Sequence, residues 1–395
     1  MKKTRICLVA AVLLCPFSGW TQQTADVDFD ENGLVDHLDF FALARAFGSH
    51  QKRYDLDRNG TVDFPDFLAF VEAYERYTQE AIRYNRVPAV DEVSSRIEFF
   101  DLPTLGSRPH GLVADAQGQI WFTEIGANRI GRLDPRTGAI VEFPLPTPGG
   151  QPYGITLDSQ GHVWFTEIGA NRIGRLDPVS EGILEFVVPT AGSRPNSLEF
   201  DRKGTLWFGE SAGDRIGRLN PRDGHFEEFA LKRSGANICG IHVDSKDNIW
   251  FAERAFGRLG RLNPVSEQID MFQLPSDGLE IGRIALDSKG CVWFTDVGSR
   301  RLGVFDPADE QTHMYRVPVE ISNPEAITVD FSDRIWLGDG TNRIARFNPE
   351  NERLLLYALP IPQVAVANLI ADVSGAIWLT DPEKNRIGRV DAAGP

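Results

Sequence analysis

Residues 109–146, PHGLVADAQGQIWFTEIGANRIGRLDPRTGAIVEFPLP, hold four short apolar runs separated by Gly, Asp, Asn and Pro. Runs of that length bounded by turn residues read as β-strands, so the stretch is a four-strand unit. Its tryptophan recurs. Trp121, Trp164, Trp207, Trp250, Trp293 and Trp336 lie 43 residues apart, and Trp378 follows after 42. Seven four-strand copies at this period predict a mainly β fold, a seven-bladed β-propeller. In the second copy the strands are expected at 153–157, 162–166, 172–176 and 183–187, from axis to rim.

An aspartate stands six residues before every one of these tryptophans (Asp115, Asp158, Asp201, Asp244, Asp287, Asp330, Asp372). Three residues after each comes Gly118, Gly161, Gly204, Asp247, Gly290, Asp333 or Gly375. These are hairpin turns with Gly or Asp where left-handed backbone is needed, and a residue present in all seven copies reads as turn chemistry rather than as a site. Residues 97–102, IEFFDL, match the outermost strand of the other copies but precede the first full blade, whereas the last copy stops after its third strand at Val390. The N-terminal strand is therefore expected to complete blade seven and remove the open edge at the seam.

Residues 1–24 carry Lys2, Lys3 and Arg5 ahead of an apolar run over 6–17, the pattern of an export signal. Removing it takes the formal charge from −15 to −18, which argues against nucleic acid as a partner and favours cations. No other segment approaches the ~20 apolar residues of a membrane span, so the mature chain is expected to lack one and to be secreted or periplasmic. Cys239 and Cys291 fall at different ends of their strands in neighbouring blades, which disfavours a disulfide between them.

Two further segments carry calcium-loop spacing. In the first, Asp28, Asp30, Asn32, Asp36 and Asp39 supply side-chain oxygens and Leu34 a carbonyl; in the second, Asp55, Asp57, Asn59, Asp63 and Asp66 do so, with the carbonyl of Thr61. Gly33 and Gly60 permit the sharp bend at the sixth place. Each loop runs into an apolar helix, and this loop–helix duplication resembles bacterial dockerins over residues 26–77. The resemblance implies calcium as cofactor. It departs at His37, Leu38, Phe64 and Pro65, where dockerins carry small polar residues that grip a cohesin, so a cohesin partner is not expected. Eleven acidic and four basic residues between Asp26 and Tyr74 make folding of this module depend on calcium. The domain reading is thus a signal at 1–24, the calcium module at 25–77, a charged linker at 78–95 and the propeller at 96–395.

Two rings are expected to face each other around the upper channel. Eleven residues before each Trp stand His110, Tyr153, Asn196, Cys239, Gly282, Glu325 and Ala367; three residues after each stand Glu124, Glu167, Glu210, Glu253, Asp296, Asp339 and Asp381. The first ring differs in every blade, which marks it as a place for a site. The segments PHGLVADAQGQIWFTEIGANRIGRL and PYGITLDSQGHVWFTEIGANRIGRL resemble blades of virginiamycin B lyase over residues 97–391. That resemblance implies a magnesium-assisted elimination opening the ester ring of streptogramin B antibiotics, with His110 as base, Glu124 as magnesium ligand and Tyr153 beside them. The chain departs at Val366-Ala367-Asn368, where a partner histidine is expected, and at Arg108, where a further glutamate is expected. Three functions remain open: a metal-assisted lyase on an ester or related substrate, a non-catalytic propeller binding a small molecule, glycan, peptide or protein at its mouth, and a sugar-lactone hydrolase-like enzyme.

Overall fold

The computed structural model describes residues 27, 29, 37–84, 86–94, 96–275, 278–318, 320–321, 324–339, 343–359 and 364–391. The chain divides into two units, residues 1–86 and 87–395. The expected signal lies outside the described residues, as do Asp28, Asp30, Asn32, Leu34 and Asp36. Among the described residues no helix is long and apolar enough to cross a membrane.

The first unit packs helix α1 (His37–Ala46) against helix α2 (Phe64–Tyr84). Val27, Phe29, Leu43, Ala46, Val62 and Phe70 form its buried core, with the Phe29 and Phe70 rings stacked 6.0 Å apart. A short backbone pairing joins the end of α1 to the second loop, through Gly48 N–H to the Val62 carbonyl at 2.7 Å and Val62 N–H to the Ser49 carbonyl at 2.8 Å.

The second unit is the propeller. Strands β1 (Ala89–Ser94) and β2 (Ile97–Asp101) precede six complete four-strand blades and a seventh with three strands of its own. Blade one runs Pro109–Ala114, Ile120–Glu124, Arg129–Asp134 and Ala139–Pro144, and the other blades repeat it. Strand β2 pairs antiparallel with Arg386–Val390, Ile97 opposite Val390 and Asp101 opposite Arg386, and so closes the ring as expected. Strand β1 was not foreseen. It pairs parallel with Arg353–Ala358 and makes blade six five-stranded. The segment read as a linker thus holds the end of α2 and an added strand, held by ion pairs of Asp91 with Arg353 at 2.5 Å and Glu92 with Arg343 at 3.2 Å.

Each tryptophan packs onto the following blade: Trp121 with Ile155, Val163 and Phe165, and across the seam Trp378 with Leu112, Ile120 and Phe122. The recurring aspartate holds it there. Asp158 Oδ1 accepts the N–H groups of Gln160 and His162 at 2.9 Å, shaping the turn. Its Oδ2 accepts the Trp164 indole N–H at 3.0 Å. The indole bond recurs in all seven blades at 2.8–3.0 Å. The turn reading of the aspartate therefore holds, with an anchoring role added. Gly131 shows why the third strand reads Arg-Ile-Gly-Arg-Leu: a Cβ there would lie 2.1 Å from the Phe122 ring.

Deleting residues 97–101 exposes the edge of Arg386–Val390 and opens the seam. The melting temperature of the propeller is expected to fall by on the order of 10 °C or more; an unchanged melt in differential scanning calorimetry would contradict the closure.

Candidate functional site

The first strand of a blade lines the axis, and in blades one to three its register slips directly after its first residue. The slip falls between Pro109 and Leu112, Pro152 and Ile155, and Pro195 and Leu198. Such a bulge re-aims side chains, and here it turns His110, Tyr153 and Asn196 into the channel. Two cavities, of about 390 and about 720 Å³, occupy its upper and lower parts. They share His110, Tyr153, Asn196, Ser197, Gly240 and Arg283, which form the waist of the channel.

A buried threonine ties each of these positions to the next blade. Thr123 Oγ1 accepts from Gly111 N–H at 2.8 Å and donates to the Tyr153 carbonyl at 2.9 Å. Thr166 donates to the Asn196 carbonyl at 2.8 Å and Thr380 to the His110 carbonyl at 3.1 Å. Blades three, four and six have Gly209, Ala252 and Gly338 instead, and blades three and four compensate. There the ring residue itself makes the bond, Asn196 Nδ2 to the Ile238 carbonyl at 2.6 Å and Cys239 Sγ to the Ile281 carbonyl at 3.3 Å. Asn196 and Cys239 are thus structural, and burial pushes the Cys239 thiol up to about 12, which leaves no thiolate for chemistry. Cys239 and Cys291 are both free, as the sequence suggested. His110 and Tyr153 carry no such duty, and their rings stack with centroids 3.8 Å apart.

His110 is not free to take a proton. Arg283 Nη2 lies 3.1 Å from its Nε2. A guanidinium only donates, so Nε2 is the acceptor and the imidazole is neutral with its proton on Nδ1. Burial first, then the charge of Arg283, hold its pKa well below the ordinary imidazole value, against a smaller opposing pull from the Tyr153 backbone. Sequence reasoning missed Arg283, although the signal was there. The residue after each first-ring position is Gly111, Gly154, Ser197, Gly240, Arg283, Ala326 or Asn368, and one long cation stands among small side chains.

The acidic ring does not face the channel, contrary to expectation. All seven residues are buried, Glu253 and Asp339 at 1% exposure and the rest at 0%. They turn toward the outer strands and the loop before their own blade. Glu124 lies beside Glu142, Ser107 and Arg129, so the structure does not bring it together with His110. In blades five and seven the acid pairs with an arginine of the third strand, Asp296 with Arg301 at 3.3 Å and Asp381 with Arg386 at 2.9 Å; Glu253 pairs with Arg258 in the same way. Blades one to three differ. Glu142, Glu185 and Glu228 stand where the other blades carry Met271, Met314, Leu356 and Phe99. Burial, then the neighbouring glutamate, raises Glu124 to about 7 and both Glu167 and Glu210 to about 8. Each of these three inner carboxyls is thereby biased toward its neutral form, beside an outer glutamate whose oxygens accept from the backbone N–H and hydroxyl of Thr104, Thr147 or Thr190.

In the first unit the second calcium loop is fully described. Asp55, Asp57 and Asp66 can each direct a carboxylate oxygen to within 4.8 Å of the others. Gly60 sits at φ +96° and donates its N–H to Asp55 at 2.8 Å, while Asn59 Oδ1 accepts from Thr61 N–H at 2.9 Å. Buried Asp55 Oδ1 and Asp63 Oδ1 have no hydrogen-bond partner, which suits oxygens aimed at a cation. Asp66 accepts from Leu56 N–H, and in the first loop Asp39 accepts the matching bond from Phe29 N–H at 2.6 Å. The two loops therefore share one fold at their last position.

The geometry defines a seven-bladed propeller with an axial cavity and, as a separate unit of the chain, a small acidic helical module. The chain belongs to the virginiamycin B lyase family, which matches residues 80–347. Selenomethionine-substituted virginiamycin B lyase from Staphylococcus aureus is similar at 28% identity and TM-score 0.70, covering 75% of this chain and 99% of that one. A streptogramin B lyase structure gives 29% and 0.71, covering 75% and 97%. The extracellular domain assigned to a hybrid two-component system of B. thetaiotaomicron shares the fold alone, at 17% and 0.59, covering 76% and 43%. No curated protein matches the chain.

The three raised carboxyls give the pH dependence of stability a sign. A carboxyl whose folded pKa is raised holds protons that the unfolded chain releases, so its contribution is present below the unfolded value and is lost as pH rises through the folded one. With folded values of about 7 to 8, the melting temperature is expected to fall between about pH 5 and about pH 8. Lowered His110 acts in the opposite sense but is one group against three. The triple change Glu142→Gln, Glu185→Gln and Glu228→Gln is expected to flatten that slope; an equally steep slope in the variant would contradict the assignment.

Proposed function

We propose that this is an exported, calcium-binding protein whose propeller uses its channel to recognise a ligand and does not carry out the family's metal-assisted elimination. The observation that carries this reading is the Arg283–His110 bond at 3.1 Å. It occupies the lone pair a general base needs. It also puts a fixed positive charge beside His110, which disfavours a divalent cation there, while Glu124 is buried beside Glu142. Tyr153 serves in this reading as the ring that holds His110 in place. The lyase reading draws its support from family membership and the matching His110, Glu124 and Tyr153; it requires Arg283 to swing away and Glu124 to turn inward.

Calcium is proposed for both loops of the first unit. In the second, Asp55, Asp57, Asn59, Asp63 and Asp66 with the Thr61 carbonyl would hold it, and it would neutralise an acidic module that otherwise repels itself. Export is supported by the N-terminal basic and apolar pattern.

Incubating the full-length chain with a streptogramin B ester and magnesium is expected to give no ring-opened product by mass spectrometry. Turnover that disappears in His110→Ala would overturn the recognition reading. For the calcium module, a chelator is expected to remove most of the helical circular dichroism of the full-length chain, and Asp66→Asn to do the same without chelator; helix content indifferent to both would rule calcium out.

A further inference from the structure

We propose that the upper channel binds an oxyanion, a carboxylate or phosphate group of a small polar ligand, with Arg283 as its anchor. This deepens the recognition reading above and rests on it.

The anchor is a cation without a counter-charge. Arg283 lines both cavities at the waist. Its one side-chain hydrogen bond goes to neutral His110, and among the described residues no carboxylate pairs with it. Arg254, nearby on the same wall, is by contrast held by Glu280 at 2.7 Å and Glu325 at 3.2 Å. A half-buried guanidinium cannot shed its proton, and leaving it unpaired is the costly arrangement. His110 occupies part of the five-donor fork, and the remaining N–H groups are available to two oxygens of one anion. His110 thus acts as a positioning residue, fixing the plane of the fork from below while Tyr153 fixes His110.

The channel is also polarised along its axis. Among the described residues, the upper cavity is lined by Arg108, Arg194, Arg254 and Arg283 against the single carboxylate Glu325. Among the described residues, the lower cavity is lined by Glu199, Asp244, Asp287, Asp330 and Asp333, with Arg283 the one arginine. On a chain of net charge −15, an anion is repelled over most of the surface and drawn in only from the upper mouth. The cavity of about 390 Å³ is of a size for a monosaccharide acid or sugar phosphate.

The test is isothermal titration of the full-length chain with galacturonate and with glucose 6-phosphate, using galactose and glucose as uncharged counterparts. Saturable binding of at least one acid, weakened at least about tenfold by Arg283→Gln and partly restored by Arg283→Lys, supports the proposal. Galacturonate alone identifies a carboxylate ligand, and glucose 6-phosphate alone a phosphate ester. Acids that bind no better than their neutral counterparts, or binding unchanged in a folded Arg283→Gln, overturn it. Neutral sugars that bind equally well, and lose binding in Tyr153→Ala, leave channel recognition standing while the oxyanion fails. Absence of any binding together with streptogramin ring opening removes both.

Discussion

A single hydroxyl passes position from one blade to the next. Thr123 and Thr166 each bridge the bulged start of one inner strand to a carbonyl of its neighbour, and Thr380 donates to the His110 carbonyl across the seam; in blades one to three the bulge decides which side chains enter the channel. In blades three and four, which lack the threonine, Asn196 and Cys239 make the bridge themselves; blade six has Gly338 there, and its ring residue Glu325 pairs with Arg254 instead. The variety of the first ring therefore has two causes: some residues replace a lost structural bond, and others, His110 and Tyr153, are released by an intact one. The seam belongs to the same system, because Thr380 of the last blade holds the backbone of His110 in the first. Ring closure and site geometry are one constraint.

The fold was legible because one large buried side chain marks each blade at a constant interval, and because the pairing of residues 97–101 with Arg386–Val390 completes a visible deficit. Strand β1 was not legible. Its sequence, Ala-Val-Asp-Glu-Val-Ser, is short and half acidic or polar, and its partner lies more than 250 residues away in a parallel pairing. The acidic ring was placed on the wrong side for a specific reason. Strand alternation predicts that Glu124 faces the residue opposite it, but the bulge separates Pro109, which pairs with Glu124, from His110, which enters the channel. Arg283 could have been found as the one long side chain in a column of small ones.

Family membership and site chemistry point in different directions here, as one fold can host unrelated functions. The propeller carries His110, Glu124 and Tyr153, the residues the resemblance singles out, yet the structure separates the glutamate from the histidine and gives the histidine's basic nitrogen to an arginine. The acidic residues that could have drawn a metal to the mouth are instead buried inside the blades, paired with arginines in some and pushed toward the neutral form by burial and a neighbouring glutamate in others. What remains at the upper channel is positive charge on an otherwise acidic protein.

The central claim, that Arg283 locks His110 as a neutral acceptor, is tested most directly by nitrogen NMR of the His110 imidazole across pH, with and without magnesium. The account predicts the Nδ1–H tautomer, titrating well below the ordinary histidine range and unaffected by magnesium. An Nε2–H tautomer, a pKa of about 6.5 or above, or a shift on adding magnesium would contradict it and return the channel to metal-assisted chemistry.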